Sequence, residues 1–155
     1  MTVWGVNTSQ KLATIPTRVE PEGMVVSPDG ETIVGTSETT NLGHFIDYKA
    51  GKMTAAVLVG ACPRNARFEH DGSEVWVSSE LGGTVSVIDP TTHKIRYTIS
   101  FPVQGLRGDE IQPEDIQFTK DDAVRHQQSP KPESVPSRLE AACQVRGPAQ
   151  LRRSA

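Results

Sequence analysis

Residues 19–60 fall on residues 61–102 at a step of 42 with no gap. Pro21 meets Pro63, Asp29-Gly30 meets Asp71-Gly72 and Ser37-Glu38 meets Ser79-Glu80; Ile46-Asp47 then meets Ile88-Asp89, and Lys52 meets Lys94. Identities at turns and strand ends, separated by apolar matches such as Val26/Phe68 and Val34/Trp76, mark a repeated supersecondary unit. A third copy opens at Gln112-Pro113, where the step of 50 from Pro63 implies an insertion near Gly105–Ile111. Upstream, Val3-Trp4-Gly5-Val6-Asn7 answers His44–Asp47 and Val85–Asp89, so residue 1 falls inside a repeat.

Each repeat reads as four short strands. The first covers Gly23–Ser27 and Ala66–Glu69 and closes on Asp29-Gly30 or Asp71-Gly72, a hairpin signal because Gly takes positive φ without steric cost. The second covers Thr32–Ser37 and Glu74–Ser79, the third His44–Ile46 and Thr84–Ile88, the fourth Thr54–Val59 and Ile95–Ser100. Val75-Trp76-Val77 is β-branched and aromatic, and Thr84–Ile88 alternates with period two. Four short antiparallel strands per ~40–45 residues is the arithmetic of a propeller blade.

The expected fold is therefore all-β: an incomplete β-propeller of four-stranded antiparallel blades. Residues 1–18 supply the last two strands of a partial blade, 19–60 and 61–104 form blades, and 105–122 hold an insertion loop and the first strand of the next. Propellers use about four to eight blades, more than this chain supplies. Open blade faces then leave apolar surface and strand edges bare, and the chain is expected to be unstable, to aggregate or to self-associate.

A net charge of −3 hides a split. Residues 1–122 hold 10 Lys+Arg against 17 Asp+Glu, whereas 123–155 hold 6 against 2. Beyond Asp122 come four Pro, four Ser, five Arg and four Gln with no aromatic residue, a composition typical of disorder. This stretch is expected to be a disordered tail, or the product of a frameshift near residue 123. Its arginines lack aromatics for stacking on bases, so a nucleic-acid partner is not expected. No run approaches a membrane span, and the first residues do not form a signal peptide. Expressed as given, the chain would stay in the cytoplasm.

Val75-Trp76-Val77-Ser78-Ser79 occupies the place of the Tyr-Val-Thr-Asn signature of YVTN β-propeller repeats, and Gly83–Asp89 resembles the strand that follows it there. Glu20–Met24 through Ser37–Asn41, with Arg67-Phe68 through Asp89-Pro90 and Ile111–Pro113, is similar to bacterial propellers associated with catabolism dependent on pyrroloquinoline quinone (PQQ). The resemblance spans roughly residues 2–122. It implies a periplasmic propeller, longer in its full-length relatives, that serves quinone-dependent alcohol oxidation as a binding or scaffold protein. PQQ or haem enters only by that association, and no cofactor is expected from the residues themselves. Propeller lactonases and haem d1 propellers lie in the same fold neighbourhood, so an enzyme or haem-binding domain is one alternative; a gene fragment without function is another.

Catalytic and metal-binding motifs are absent from the sequence: no phosphate-binding glycine loop, nucleophile elbow or Cys-x-x-Cys-His occurs. His44, His70, His93 and His126 sit in four unrelated contexts and read as structural or surface residues, and Cys62 and Cys143 as free thiols. Asp47 and Asp89 fit Asx-turns, and the acidic stretch Gly108–Asp115 reads as an exposed insertion. Glu38 and Glu80 recur at one repeat position after strand two. Equivalent loops of successive blades converge on one propeller face, so these carboxylates are candidates to ring the channel and bind a cation or basic partner. The plainer expectation is that each is a solvated residue at a strand end.

Overall fold

The computed structural model describes residues 1–17, 19–101, 104–107, 110–118 and the backbone of 143–146. The strands are β1 (Thr2–Gly5), β2 (Gln10–Thr14), β3 (Pro21–Val26), β4 (Thr32–Ser37), β5 (Leu42–Asp47), β6 (Lys52–Leu58), β7 (Pro63–Phe68), β8 (Val75–Ser79), β9 (Thr84–Asp89), β10 (Lys94–Ser100), β11 (Gln112–Ile116) and β12 (Cys143–Arg146). Two four-stranded antiparallel meanders, β3-β4-β5-β6 and β7-β8-β9-β10, form complete blades. Two-stranded sheets, β1-β2 and β11-β12, flank them. The architecture is that of an incomplete β-propeller.

Pairing register shows which part of a blade each small sheet represents. In β5–β6, His44 faces Ala56 and Asp47 faces Lys52 across a bulge after Phe45. β1–β2 repeats this at a step of 42: Thr2 faces Thr14, Gly5 faces Gln10, and the bulge follows Val3. These are a blade's third and fourth strands. In β3–β4, Pro21 pairs Ser37 and Met24 pairs Gly35 across an irregularity; in β7–β8, Pro63 pairs Ser79 and Ala66 pairs Val77. β11–β12 has the same pattern, with Pro113 opposite Val145 and Ile116 opposite Cys143. These are a blade's first and second strands.

Within the stretch expected to be a disordered or frameshifted tail, residues 143–146 form the strand β12. The free edge of β11 offers unpaired N–H and C=O groups, and a short extended segment of any origin can satisfy them. The rest of 123–155 lies outside the described residues. Of the stretch Gly108–Asp115, Gly108 and Asp109 lie outside the described residues, and the rest differs from an exposed insertion: Ile111 and Pro113 are buried, and Glu114 and Asp115 belong to β11.

The repeat persists in the backbone where side chains diverge. Gly30 and Gly72 take φ of 73° and 75° in the Asp-Gly turns. The same left-handed conformation recurs at Ser9, Gly51 and His93, at Glu20 and Cys62, and at Asn41 and Gly83. Every set is spaced by 42. Ser9, Glu20 and Cys62 accept this conformation at a cost of roughly 1–2 kcal/mol each, so at these positions blade geometry, not local preference, dictates it.

Between blades the side chains alternate as strands require. Val34, Phe45 and Val57 of the first blade pack on Ala66, Val75, Val77 and Ile88 of the second. On the opposite face, Trp76, Val85, Val87 and Ile99 pack on Ile116, with Phe118 edge-on to Trp76 at 5.5 Å. Fully burying one such side chain contributes about 1.5–3 kcal/mol.

A buried hydroxyl ties each blade to the next. Thr36 Oγ1 accepts the Gly23 N–H of its own blade at 2.9 Å and donates to the Arg64 carbonyl of the next at 3.0 Å. Ser78, at the equivalent position, accepts from Asn65 N–H at 3.2 Å and donates to the Glu114 carbonyl at 2.9 Å. Both are fully buried. At Gly23 the blades approach so closely that a Cβ would strike the Arg64 carbonyl and lie 2.8 Å from Asn65 Cα. Replacing Thr36 by Val keeps the shape but leaves a buried donor and acceptor unmatched, at about 1–3 kcal/mol. Urea unfolding should show that loss in T36V with an unchanged slope, while Lys49→Ala, on an exposed ion pair, leaves the midpoint in place.

Candidate functional site

Glu38 and Glu80 follow the second strands β4 and β8, and the backbone fixes both alike. Glu38 N–H donates to the Glu20 carbonyl at 3.1 Å and Glu80 N–H to the Cys62 carbonyl at 2.9 Å. Their side chains meet across the blade boundary on Arg64, a β7 residue. Its Nη1 lies 3.1 Å from Glu38 and 3.5 Å from Glu22, while its Nε donates to Glu80. Neither carboxylate is a freely solvated strand end. The pair is tied together by an arginine from the same chain.

Cys62 completes the cluster. Its thiol donates to Glu38 Oε1 at 3.1 Å and lies 3.7 Å from Glu80, and its N–H donates to Asn41 Oδ1 at 3.0 Å. Burial, then the bond to Glu38, pushes the thiol up to about 12. The Glu38 carboxyl is held below its ordinary value, first by the thiol's hydrogen bond and then by the Arg64 charge. Arg64 is held more strongly protonated by its bond to Glu80. A thiol that keeps its proton at neutral pH is a poor nucleophile and a poor soft-metal ligand. Among the described residues no group of three or more His, Cys, Asp or Glu side chains is arranged to hold a metal ion.

The shifted comparison pairs Glu22 with Arg64, and the later step pairs Arg64 with Glu114. That charge alternation at a first-strand position was the available signal for Arg64. Cys62 carried no such signal, because its role depends on how closely two blades approach.

The other singled-out residues have structural surroundings. His44 is 2 % exposed in β5, opposite Gly35 and Ala56. His93 is half-buried with its ring edge-on to Phe45 at 4.8 Å, so it is not the solvent-facing turn residue its position implies. His70 is exposed and meets Phe118 edge-on at 6.4 Å; His126 lies outside the described residues. Asp47 Oδ1 accepts Ala50 N–H, and Asp89 Oδ1 accepts the N–H groups of Thr91 and Thr92. Arg96 bridges Asp89 and Glu74 at 2.8 and 2.9 Å, and this bond first, then those from Thr92 and Thr91, holds the Asp89 carboxyl far below the carboxylate range.

The thiol fixes a pH dependence. An unfolded cysteine titrates near ~8.5, so between that value and about 12 the unfolded chain releases a proton that folded Cys62 retains. Stability from this group is complete below the lower limit and declines as pH rises towards the upper one. Glu38 acts in the opposite sense: its contribution is present above the ordinary carboxylate range and is lost as pH falls through its depressed value. Denaturation midpoints should therefore fall on the alkaline side in the parent chain, with a shallower fall in Cys62→Ala. Equal alkaline slopes would contradict the assignment.

No family model matches the chain, and no curated protein matches it. Solved structures do. Hydrazine synthase of Kuenenia stuttgartiensis aligns with a TM-score of 0.65 at 19 % identity, over 74 % of this chain and 35 % of that one. The dihydro-haem d1 dehydrogenase NirN, in complex with DHE, aligns with a TM-score of 0.61 at 23 % identity, over 74 % of this chain and 24 % of that one. The chain thus spans about a third and a quarter of these neighbours' lengths. Both neighbours are β-propeller proteins, and at this identity the likeness establishes the propeller fold and nothing finer.

Proposed function

We propose that the chain is a non-catalytic binding or scaffold segment of a β-propeller. One observation carries the reading. The most convergent polar groups are engaged with one another: Arg64 holds Glu38 and Glu80, and the Cys62 thiol is kept protonated against Glu38. Groups so matched rigidify a blade boundary and retain no shifted acid, base or nucleophile of the kind catalysis uses. The cluster keeps two negative charges in excess, counting Glu22, Glu38 and Glu80 against Arg64. Such an excess favours basic over acidic partners. On the resemblance of Glu20–Met24 through Ser37–Asn41, Arg67-Phe68 through Asp89-Pro90 and Ile111–Pro113 alone, we further propose service to quinone-dependent alcohol oxidation in the periplasm.

The rival reading, a haem-binding propeller, draws on the dihydro-haem d1 dehydrogenase among the structural neighbours. Titrating the chain with haem separates the two. The scaffold reading expects no saturable shift of the haem absorption band. A stoichiometric shift that disappears in His70→Ala or His93→Ala would overturn it.

A further inference from the structure

The two small sheets are complementary halves of one blade. β11-β12 supplies first and second strands, β1-β2 third and fourth, each in the register and with the irregularity of the complete blades. Among the described residues no strand pairs with the outer edge of β12 or with the edge of β1 opposite β2. In the complete blades those edges meet: β8 Val77 pairs β9 Ser86, and β4 Gly35 pairs β5 His44. Cys143 stands at the register position of Val77 and Gly35, and Thr2 at that of Ser86 and His44.

A bare surface matches the same gap. Ala66 and Phe68 in β7, and Ile116 and Phe118 at β11, pack against the preceding blade. Their counterparts in β3, Met24 and Val26, are 52 % and 54 % exposed. What covers this position in the second blade is the first and second strands of the first, since β7 lies against β3 and β4. The face is thus the established inter-blade interface continued one blade further, with its covering strand pair missing.

Charge agrees as well. In the established interface Glu38, just past a second strand, meets Arg64 on the next blade's first strand. Arg146 holds the register position of Glu38 and Glu80, and Glu22 that of Arg64. The signs are exchanged and remain opposite.

We propose that two copies of this chain close into one ring, with β11-β12 of each completing the blade begun by β1-β2 of the other. The described residues of each copy contribute two complete blades and two half-blades, so two copies closed on one another have six blades. One copy closing on itself would have three, and three copies nine; both fall outside the range of about four to eight that propellers use. The two-fold arrangement pairs the open edges of β12 and β1 and leaves only the short inner and outer edges that every propeller blade keeps, which removes the drive to further association.

Sedimentation of the purified chain from 1 to 100 µM tests this. The expected species has twice the mass of the 16.8 kDa chain. Val26→Asp and Met24→Glu, at exposed positions, should give monomers with unchanged strand content by circular dichroism. Thr2→Cys, oxidised with glutathione disulfide, should form a disulfide with Cys143 of the second copy, because directly opposed antiparallel residues lie within disulfide reach. That cross-link should vanish in Thr2→Cys/Cys143→Ser, while buried Cys62 stays unmodified. A monomer at 100 µM, open-ended polymers, a dimer indifferent to Val26→Asp, or a dimer without the Thr2→Cys cross-link would each overturn the proposal.

Discussion

Everything in this array hangs on one buried hydroxyl per blade boundary. Thr36 and Ser78 each accept a hydrogen bond from a backbone N–H in their own first strand and donate one to a backbone carbonyl in the next blade's first strand. A propeller's inner strands run side by side without a shared hydrogen-bond ladder, so their facing polar groups need another partner. A short hydroxyl side chain meets that need at the closest point of approach, and Gly23 shows how close that point is. The apolar layers around Phe45 and Trp76 then pack at a spacing the hydroxyls set.

The ionic cluster follows from the same geometry. With first strands clipped together, β7 brings Arg64 within reach of carboxylates on both blades, and the positive φ at Cys62 turns the chain at the head of β7, where its thiol meets Glu38. The cluster works as a mutually satisfied network, in which the hydrogen bond that lowers Glu38's pKa adds to the rise that burial causes in the thiol's. Across the other boundary, Asn65 donates to Asp115 and Arg67 lies 3.6 Å from it, a second polar seam between first strands.

The blade architecture was legible because turn chemistry survives sequence drift. Asp-Gly and the residues at strand ends repeat at 42, and the strand bounds follow from them to within three residues. The convergence of Glu38 and Glu80 was legible only as a recurring position. That Arg64 would claim both could not be read from spacing: it reaches Glu80 within its own β7–β8 pair, but Glu38, 26 positions away, only through the packing of two blades. β12 escaped for a different reason. Its composition gives no strand signal, and its pairing is supplied by the open edge of β11. Left-handed backbone at Ser9, Glu20 and Cys62 was hidden likewise, since no local preference in these residues demands it.

Native-state hydrogen exchange of two amides tests the central claim most directly. If the hydroxyls of Thr36 and Ser78 lock the blades, the Gly23 and Asn65 N–H groups should exchange only through global unfolding, with the same protection free energy as the mid-strand amides of β4 and β8. Exchange of these two amides at rates typical of exposed turns, while β4 and β8 stay protected, would contradict the account: each blade would then be a separate unit and the clip incidental.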